Sequence, residues 1–378
     1  VSDRIRVLVV DDSAVMRKLI PQMLDGDRAI EVVGTAMDGL LGLKKIGELR
    51  PDVVTLDLDM PRMDGMEMLH EIVARHHIPV IVVSAHTEAG AYSALKALAE
   101  GAFDFVAKPR DSKPSSMEQM ARDLLIKIKV AAIAGPPKHT FEPITRQARK
   151  YPRVAKEPTR AVRTIAVGVS TGGPNALHYV FSLLPGDFSG CLIVVQHMPE
   201  GFTEMFARRL NDCSPIEVVE ARSADLIVPG RAYVCPGNRH IRVRSTPRGS
   251  MIVLDDHAQV NGHRPSADVL FHSVARELRR EAVALLMTGM GEDGAEGMGA
   301  VQAAGGVTLA QSPESCVVDS MPRSAIDRGY VGSVVTLEQL PTILSGLCNL
   351  EMPRSRPELE TTPASGSSRE SKFRRRSS

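Results

Sequence analysis

The 378-residue chain has no tryptophan, and aromatic residues make up only 4% of it. A platform on which unpaired bases stack needs such rings, so their scarcity argues against nucleic-acid binding. Neither sign of charge dominates: 46 Lys and Arg against 45 Asp and Glu leave a formal net charge of +1. That is too little for an overall field that recruits a polyanion or an acidic membrane. No apolar run approaches the roughly 20 residues that span a bilayer. Asp3, Arg4 and Arg6 stand directly before a short apolar strand, which is unlike a signal peptide. The five cysteines (Cys191, Cys213, Cys235, Cys316, Cys348) are odd in number, scattered and never arranged C-x-x-C. A disulfide framework and a zinc site are both disfavoured, and a reducing, cytoplasmic setting is expected.

What is present is ordinary globular material, 43% hydrophobic and 24% charged, in a chain longer than the roughly 250 to 300 residues one core usually serves. Two domains are expected, both α/β with doubly wound parallel sheets, the first flavodoxin-like and the second Rossmann-like. In the first, "IRVLVV", "IEVVGTA", "DVVTLDL", "PVIVVSA" and "DFVAKP" read as strands, with helices near 14–25, 39–49, 65–76 and 116–133. The second series runs through "TIAVGVS", "CLIVVQH", "AYVCP", "AVALLMTGM" and "VTLAQS". The assigned ranges are 4–125 and 162–348 for the domains, 126–161 for a Pro-rich basic linker, and 349–378 for a tail too polar to fold.

Open parallel sheets place chemistry beyond the carboxyl ends of their strands. In the first domain those ends carry Asp11 and Asp12, Asp57, Ser84, and Lys108 before Pro109. One Asp after a strand is ordinarily a helix cap, and Asp12 before "SAVMRKL" fits that description. Four strand ends with this pattern together are not explained by capping. Three converging carboxylates repel unless a cation lies among them, and all-oxygen ligation suits Mg²⁺. A carboxylate there can attack phosphorus while Lys108 and the Ser84 hydroxyl offset the transferred charge.

"VLVVDDS", "DLDMPRMDG" and "VAKP" resemble the receiver domain of two-component response regulators. The resemblance implies phosphorylation of Asp57 by a histidine kinase phosphodonor, with Mg²⁺ on Asp11, Asp12 and Asp57. It leaves to Asp59 only a backbone carbonyl for the metal. It also implies that Ser84 and Phe105 shift when the acceptor is phosphorylated.

In the second domain "GVSTGGP" admits two readings. As a dinucleotide fingerprint it fails at its middle glycine, which is Ser170, and the next strand ends in Gln196 and His197 instead of an acid. As G-x-S-x-G, with Gly168, Ser170 and Gly172, it exposes a serine on a tight strand-to-helix turn. His197 ends the neighbouring strand and offers the base a serine needs. His240, His257, His263 and His272 read as structural histidines. In "LLMTGMGEDGAEGMG", Gly289, Gly291 and Gly294 let amide N–H groups turn inward, and Asp293 either caps a helix or orients the imidazole. The order Ser, His, Asp differs from that of α/β-hydrolases.

"GVSTGGP", "QHMP", "RPSADVLF" and "TGMGEDG", in that order behind a receiver, resemble the catalytic domain of the chemotaxis protein-glutamate methylesterases/glutaminases. By resemblance the nucleophile is Ser170, the base His197 and the orienting carboxylate Asp293. The Met290 amide serves the oxyanion, Thr171 lies beside the nucleophile, and no metal is required in this domain. Glutamate γ-methyl esters and glutamines on the cytoplasmic helices of methyl-accepting chemoreceptors are the implied substrates, without membrane insertion. With both domains on one chain, the expected control is a receiver that packs over the Ser170 crevice until Asp57 is phosphorylated. A transcription factor would instead need a basic recognition helix after the linker, and a binding module that has lost catalysis would not need all three side chains.

Overall fold

The computed structural model describes residues 4–111, 113–136 and 163–349, so most of the expected linker and all of the tail beyond 349 lie outside the described residues. The first domain is a parallel sheet of β1 (Ile5–Val10), β2 (Ile30–Ala36), β3 (Val53–Leu56), β4 (Val80–Ser84) and β5 (Asp104–Ala107), in the order β2-β1-β3-β4-β5. Strands such as VVTL and VIVVS are buried at every residue, because helices cover both faces. Those helices are α1 (Ala14–Leu24), α2 (Gly39–Leu49), α3 (Gly65–Glu71), α4 (Glu88–Ala99) and α5 (Pro114–Ala134).

The helix starts are legible as caps. Ser13, Asp38, Asp64 and Thr87 each accept a hydrogen bond from a first-turn amide through the side chain. The cap of α1 is therefore Ser13, and Asp12 is released from that role. The linker boundary at 126 needs correction. Helix α5 continues to Ala134, and Ile128 and Ala131 are fully buried in the first domain's core.

The second domain is built on β6 (Thr164–Val169), β7 (Cys191–Gln196), β8 (Glu217–Glu220), β9 (Arg231–Val234), β12 (Val283–Leu286), β13 (Val307–Gln311) and β14 (Ser333–Val335). They form one parallel sheet in the order β14-β13-β12-β6-β7-β9-β8. The first strand sits centrally, with β7 on one side and β12 on the other, which makes the end of β6 a topological switch point. Helices α6 (Gly173–Ser182), α7 (Phe202–Cys213), α8 (Ala267–Leu278), α9 (Ala295–Ala303), α10 (Ser320–Asp327) and α11 (Leu340–Asn349) cover the sheet.

An antiparallel pair, β10 (His240–Thr246) with β11 (Gly249–Asp255), was not expected from the alternation of strands and helices. Its polar and apolar residues interleave because one face alone is buried, which a search for continuous apolar runs passes over. All five cysteines are free thiols. Among the described residues no helix is long and apolar enough to cross a membrane.

The two domains touch through α4 and the end of β5 on one side and α6 and α7 on the other. Phe105 stacks on Phe202 with ring centroids 4.9 Å apart and planes within 14°. His86 meets Phe202 edge-on at 5.5 Å, and its Nε2 lies 2.6 Å from the Glu200 carbonyl oxygen. Asn175 donates to the Leu98 carbonyl at 2.8 Å, and Arg209 donates to that of Leu95.

Candidate active site and acidic pocket

Register places the serine and the histidine side by side. Val169 on β6 pairs with Gln196 on β7, so Ser170 and His197 are the next residue on each strand. The His197 amide donates to the Val169 carbonyl at 3.1 Å, and on the other side the Ser170 amide donates to the Thr288 carbonyl at 3.0 Å. The chain then folds into a turn closed by the Gly173 amide on the Ser170 carbonyl at 2.8 Å, with Gly172 at φ +79°. A β-carbon at Gly172 would be strained there, so the tight strand-to-helix turn that exposes Ser170 depends on this glycine. Gln196 Nε2 holds the Ser170 carbonyl at 2.9 Å, and the Thr288 hydroxyl holds that of Thr171 at 2.9 Å.

Asp293 comes from the loop between β12 and α9 and meets His197 directly: Nε2 to Oδ2 is 2.8 Å, with both side chains buried. The carboxylate accepts four further hydrogen bonds, from the Ser266 hydroxyl (2.6 Å), the Ala267 amide (2.6 Å), the Asp268 amide (3.4 Å) and Asn261 Nδ2 (3.2 Å). Burial alone would raise its pKa, but the hydrogen bond and charge of His197, with Ser266 and Ala267, hold it well below the usual carboxylate range. Asp293 thus does cap a helix, but that helix is α8 and not its own α9, whose cap Gly294 has no side chain to offer.

The structure joins His197 to Asp293 and leaves the third link open. His197 Nδ1 is buried with no hydrogen-bond partner, so the Ser170 hydroxyl does not bond to it in this state. Thr171 follows Ser170 in the chain, and Gly289, the residue before Met290, packs against the Ser170 Cβ.

One contact was not anticipated: the ring of His263, read as a structural histidine, lies flat on His197, centroids 3.8 Å apart and planes within 6°. Burial first, and then the neighbouring His197, lower its pKa to about 4. Nothing in the local sequence distinguished it, since the contact joins residues 66 positions apart. His240 and His257 remain structural, on the Ala258 carbonyl and on Asp255.

In the first domain, carboxylate oxygens of Asp11, Asp12 and Asp57 all lie within 4.8 Å of one another. Asp11 and Asp57 are buried and Asp12 is exposed. The Lys108 ammonium reaches Asp57 Oδ2 at 2.6 Å and lies 3.0 Å from Asp11 Oδ2, without the alignment of a hydrogen bond to the latter. Burial raises the Asp57 pKa despite Lys108, while Asp57 and Asp11 raise that of Lys108 against its own burial. An under-satisfied buried oxygen among clustered carboxylates fits a hard divalent cation. The Ser84 hydroxyl donates to the Gly90 carbonyl at 2.8 Å, and Phe105 is turned inward, 4% exposed.

Comparison with known proteins bears on both sites. Residues 165–344 match the model of the CheB methylesterase family, and residues 7–120 match that of the response regulator receiver domain. The protein-glutamate methylesterase/protein-glutamine glutaminase 2 of Koribacter versatilis is 59% identical over 346 residues, 90% of this chain and 95% of that one. Proteins named protein-glutamate methylesterase/protein-glutamine glutaminase from Symbiobacterium thermophilum and Bacillus subtilis are 43% and 41% identical. These two alignments cover 89% and 92% of this chain and 95% and 99% of the relatives.

Proposed function

The chain belongs to the CheB methylesterase family and carries a response regulator receiver domain ahead of the catalytic one, and from that premise we propose that Ser170, His197 and Asp293 form its catalytic triad. The substrates in this reading are glutamate γ-methyl esters and glutamine side chains on the cytoplasmic helices of chemoreceptors. The observation that carries it is the buried His197–Asp293 pair at the strand end adjoining Ser170. Because the carboxylate takes the Nε2 proton, Nδ1 is the basic nitrogen. The missing Ser170 bond is one that substrate binding tightens.

Ser170 Oγ attacks the γ-carbonyl carbon and its proton passes to His197 Nδ1. The Thr171 and Met290 amides stabilise the oxyanion. His197 then protonates the leaving group, giving methanol from the ester or ammonia from the amide, and an acyl-enzyme on Ser170 remains. Water, deprotonated by His197, hydrolyses it to glutamate. Methanol release from methylated receptor should fall by about a thousandfold or more in Ser170→Ala. Equal rates for the two proteins would remove the mechanism.

Control rests on the acidic pocket. Asp57 accepts the phosphoryl group from a histidine kinase, and Lys108 and Ser84 offset its charge. Asp11, Asp12 and Asp57 would hold Mg²⁺, which supplies charge neutralisation when bound. The unphosphorylated receiver covers the approach to Ser170, supported by the stacking of Phe105 on Phe202, five residues after His197. Phosphorylation draws Ser84 and Phe105 toward Asp57 and loosens that contact.

A further inference from the structure

The segment that lies over the His197–Asp293 pair is a two-residue hairpin. Val260 and His263 exchange backbone hydrogen bonds of 3.0 and 2.9 Å, and between them Asn261 (φ 53°) and Gly262 (φ 76°) both occupy the left-handed region. Asn-Gly is the residue pair for which such a turn is least strained. Arg264 fastens the turn to its surroundings, donating to Asn238 Oδ1 and to the Asp256 and His257 carbonyls. Two side chains project from this small rigid unit onto the catalytic pair. Asn261 Nδ2 bridges Asp268 Oδ2 (2.7 Å) and Asp293 Oδ1 (3.2 Å), and His263 lies against His197.

His197 makes one side-chain hydrogen bond, through Nε2. A ring tethered at Cβ and held at Nε2 can still rotate about the line joining them, and its Nδ1 edge swings with it. The flat contact at 3.8 Å supplies the second constraint, fixing the plane of the imidazole. We propose that the Val260–His263 turn is a positioning element for the catalytic pair, in which His263 sets the plane of His197 and Asn261 ties Asp293 to Asp268. This rests on the triad reading above and adds to it a source of ring orientation. The titratable groups that face His263 are His197, at the end of β7, and Asp293, before α9. A neutral His263 ring can stay in place as His197 gains a proton, where a second cation would be repelled.

The test compares two variants of similar bulk in the full chain, His263→Phe and His263→Leu, with Ser170→Ala as control. Methanol release is measured from methylated receptor with a small phosphodonor and Mg²⁺. A flat ring is retained in one variant and lost in the other, so a role in packing volume alone moves both equally. His263→Phe should keep kcat within about threefold of wild type, whereas His263→Leu should lose about tenfold in kcat with KM within about twofold. Equal kcat values for the two variants, whether both fast or both slow, would overturn the proposal while the inactivity of Ser170→Ala left the triad standing. Undiminished turnover by Ser170→Ala would instead remove the triad reading and this inference with it.

Discussion

At the scale of single residues, the chemistry is controlled by what each polar atom faces. The donors around Asp293 hold it ionised, and its position against the ring decides that it takes His197 Nε2. His263 shows the converse: a half-buried titratable ring with no carboxylate hydrogen bond, its pKa lowered from 6.5 to about 4 by burial and then by His197. The unfolded chain binds a proton at pH 6.5 that the folded chain excludes until about pH 4. This share of stability is therefore complete above pH 6.5 and is lost as the pH falls through that window. Between pH 7 and pH 5 it amounts to roughly 1–2 kcal/mol. Thermal melts at the two pH values should show a smaller drop for His263→Phe than for wild type, and identical drops would contradict the assignment.

At the scale of elements, the site is an arrangement of three strand ends and one helix start. Helix α8 begins at Ser266, whose side chain caps nothing within its own helix. The first amides of α8 donate instead to Asp293, so one carboxylate both satisfies a helix N-terminus and pairs with His197. The loop after β12 also passes close to Ser170. A β-carbon at Gly289 would stand 2.8 Å from the Ser170 Cβ and 2.2 Å from the Met321 sulfur. Met321 is flexible and can yield, whereas the Ser170 backbone is tied to Thr288. Gly289→Ala should therefore displace Ser170 and lower kcat about tenfold or more, with an overpacking cost of about 1–3 kcal/mol. Turnover at the wild-type rate, in a variant of normal melting temperature, would show that the close approach is not needed.

At the scale of the whole molecule, the receiver rests on the segment that follows His197. Phe202 opens α7 just beyond His197, and it is covered by Phe105 face-on and His86 edge-on. Arg209 and Asn175 add hydrogen bonds to the carbonyls that end α4. Phe202 itself is fully buried, so truncating it would unsettle the catalytic core. His86 and Arg209 are half-buried and serve the contact more than either core. The double variant His86→Ala, Arg209→Ala should raise turnover several-fold in the absence of a phosphodonor and shrink the further stimulation by one. Unchanged basal turnover would mean that these contacts do not restrain the enzyme.

Local pattern was enough to place Ser170, His197, Asp57, Asp11 and Lys108 at strand ends, because each follows an apolar run and parallel sheets collect such ends at one edge. The caps at Ser13, Asp38, Asp64 and Thr87 are each set within four residues, yet only Asp12 was expected as a cap for α1, one residue too early. The turn at Asn261 and Gly262 went unread, although Asn-Gly is a local turn signal, and nothing local gives its target. That His263 lies on His197, that Asp293 caps α8, and that Phe105 meets Phe202 all depend on register between segments far apart in the chain. Residue type says what a side chain can do, but only packing decides which partner takes up each hydrogen bond and which face it covers.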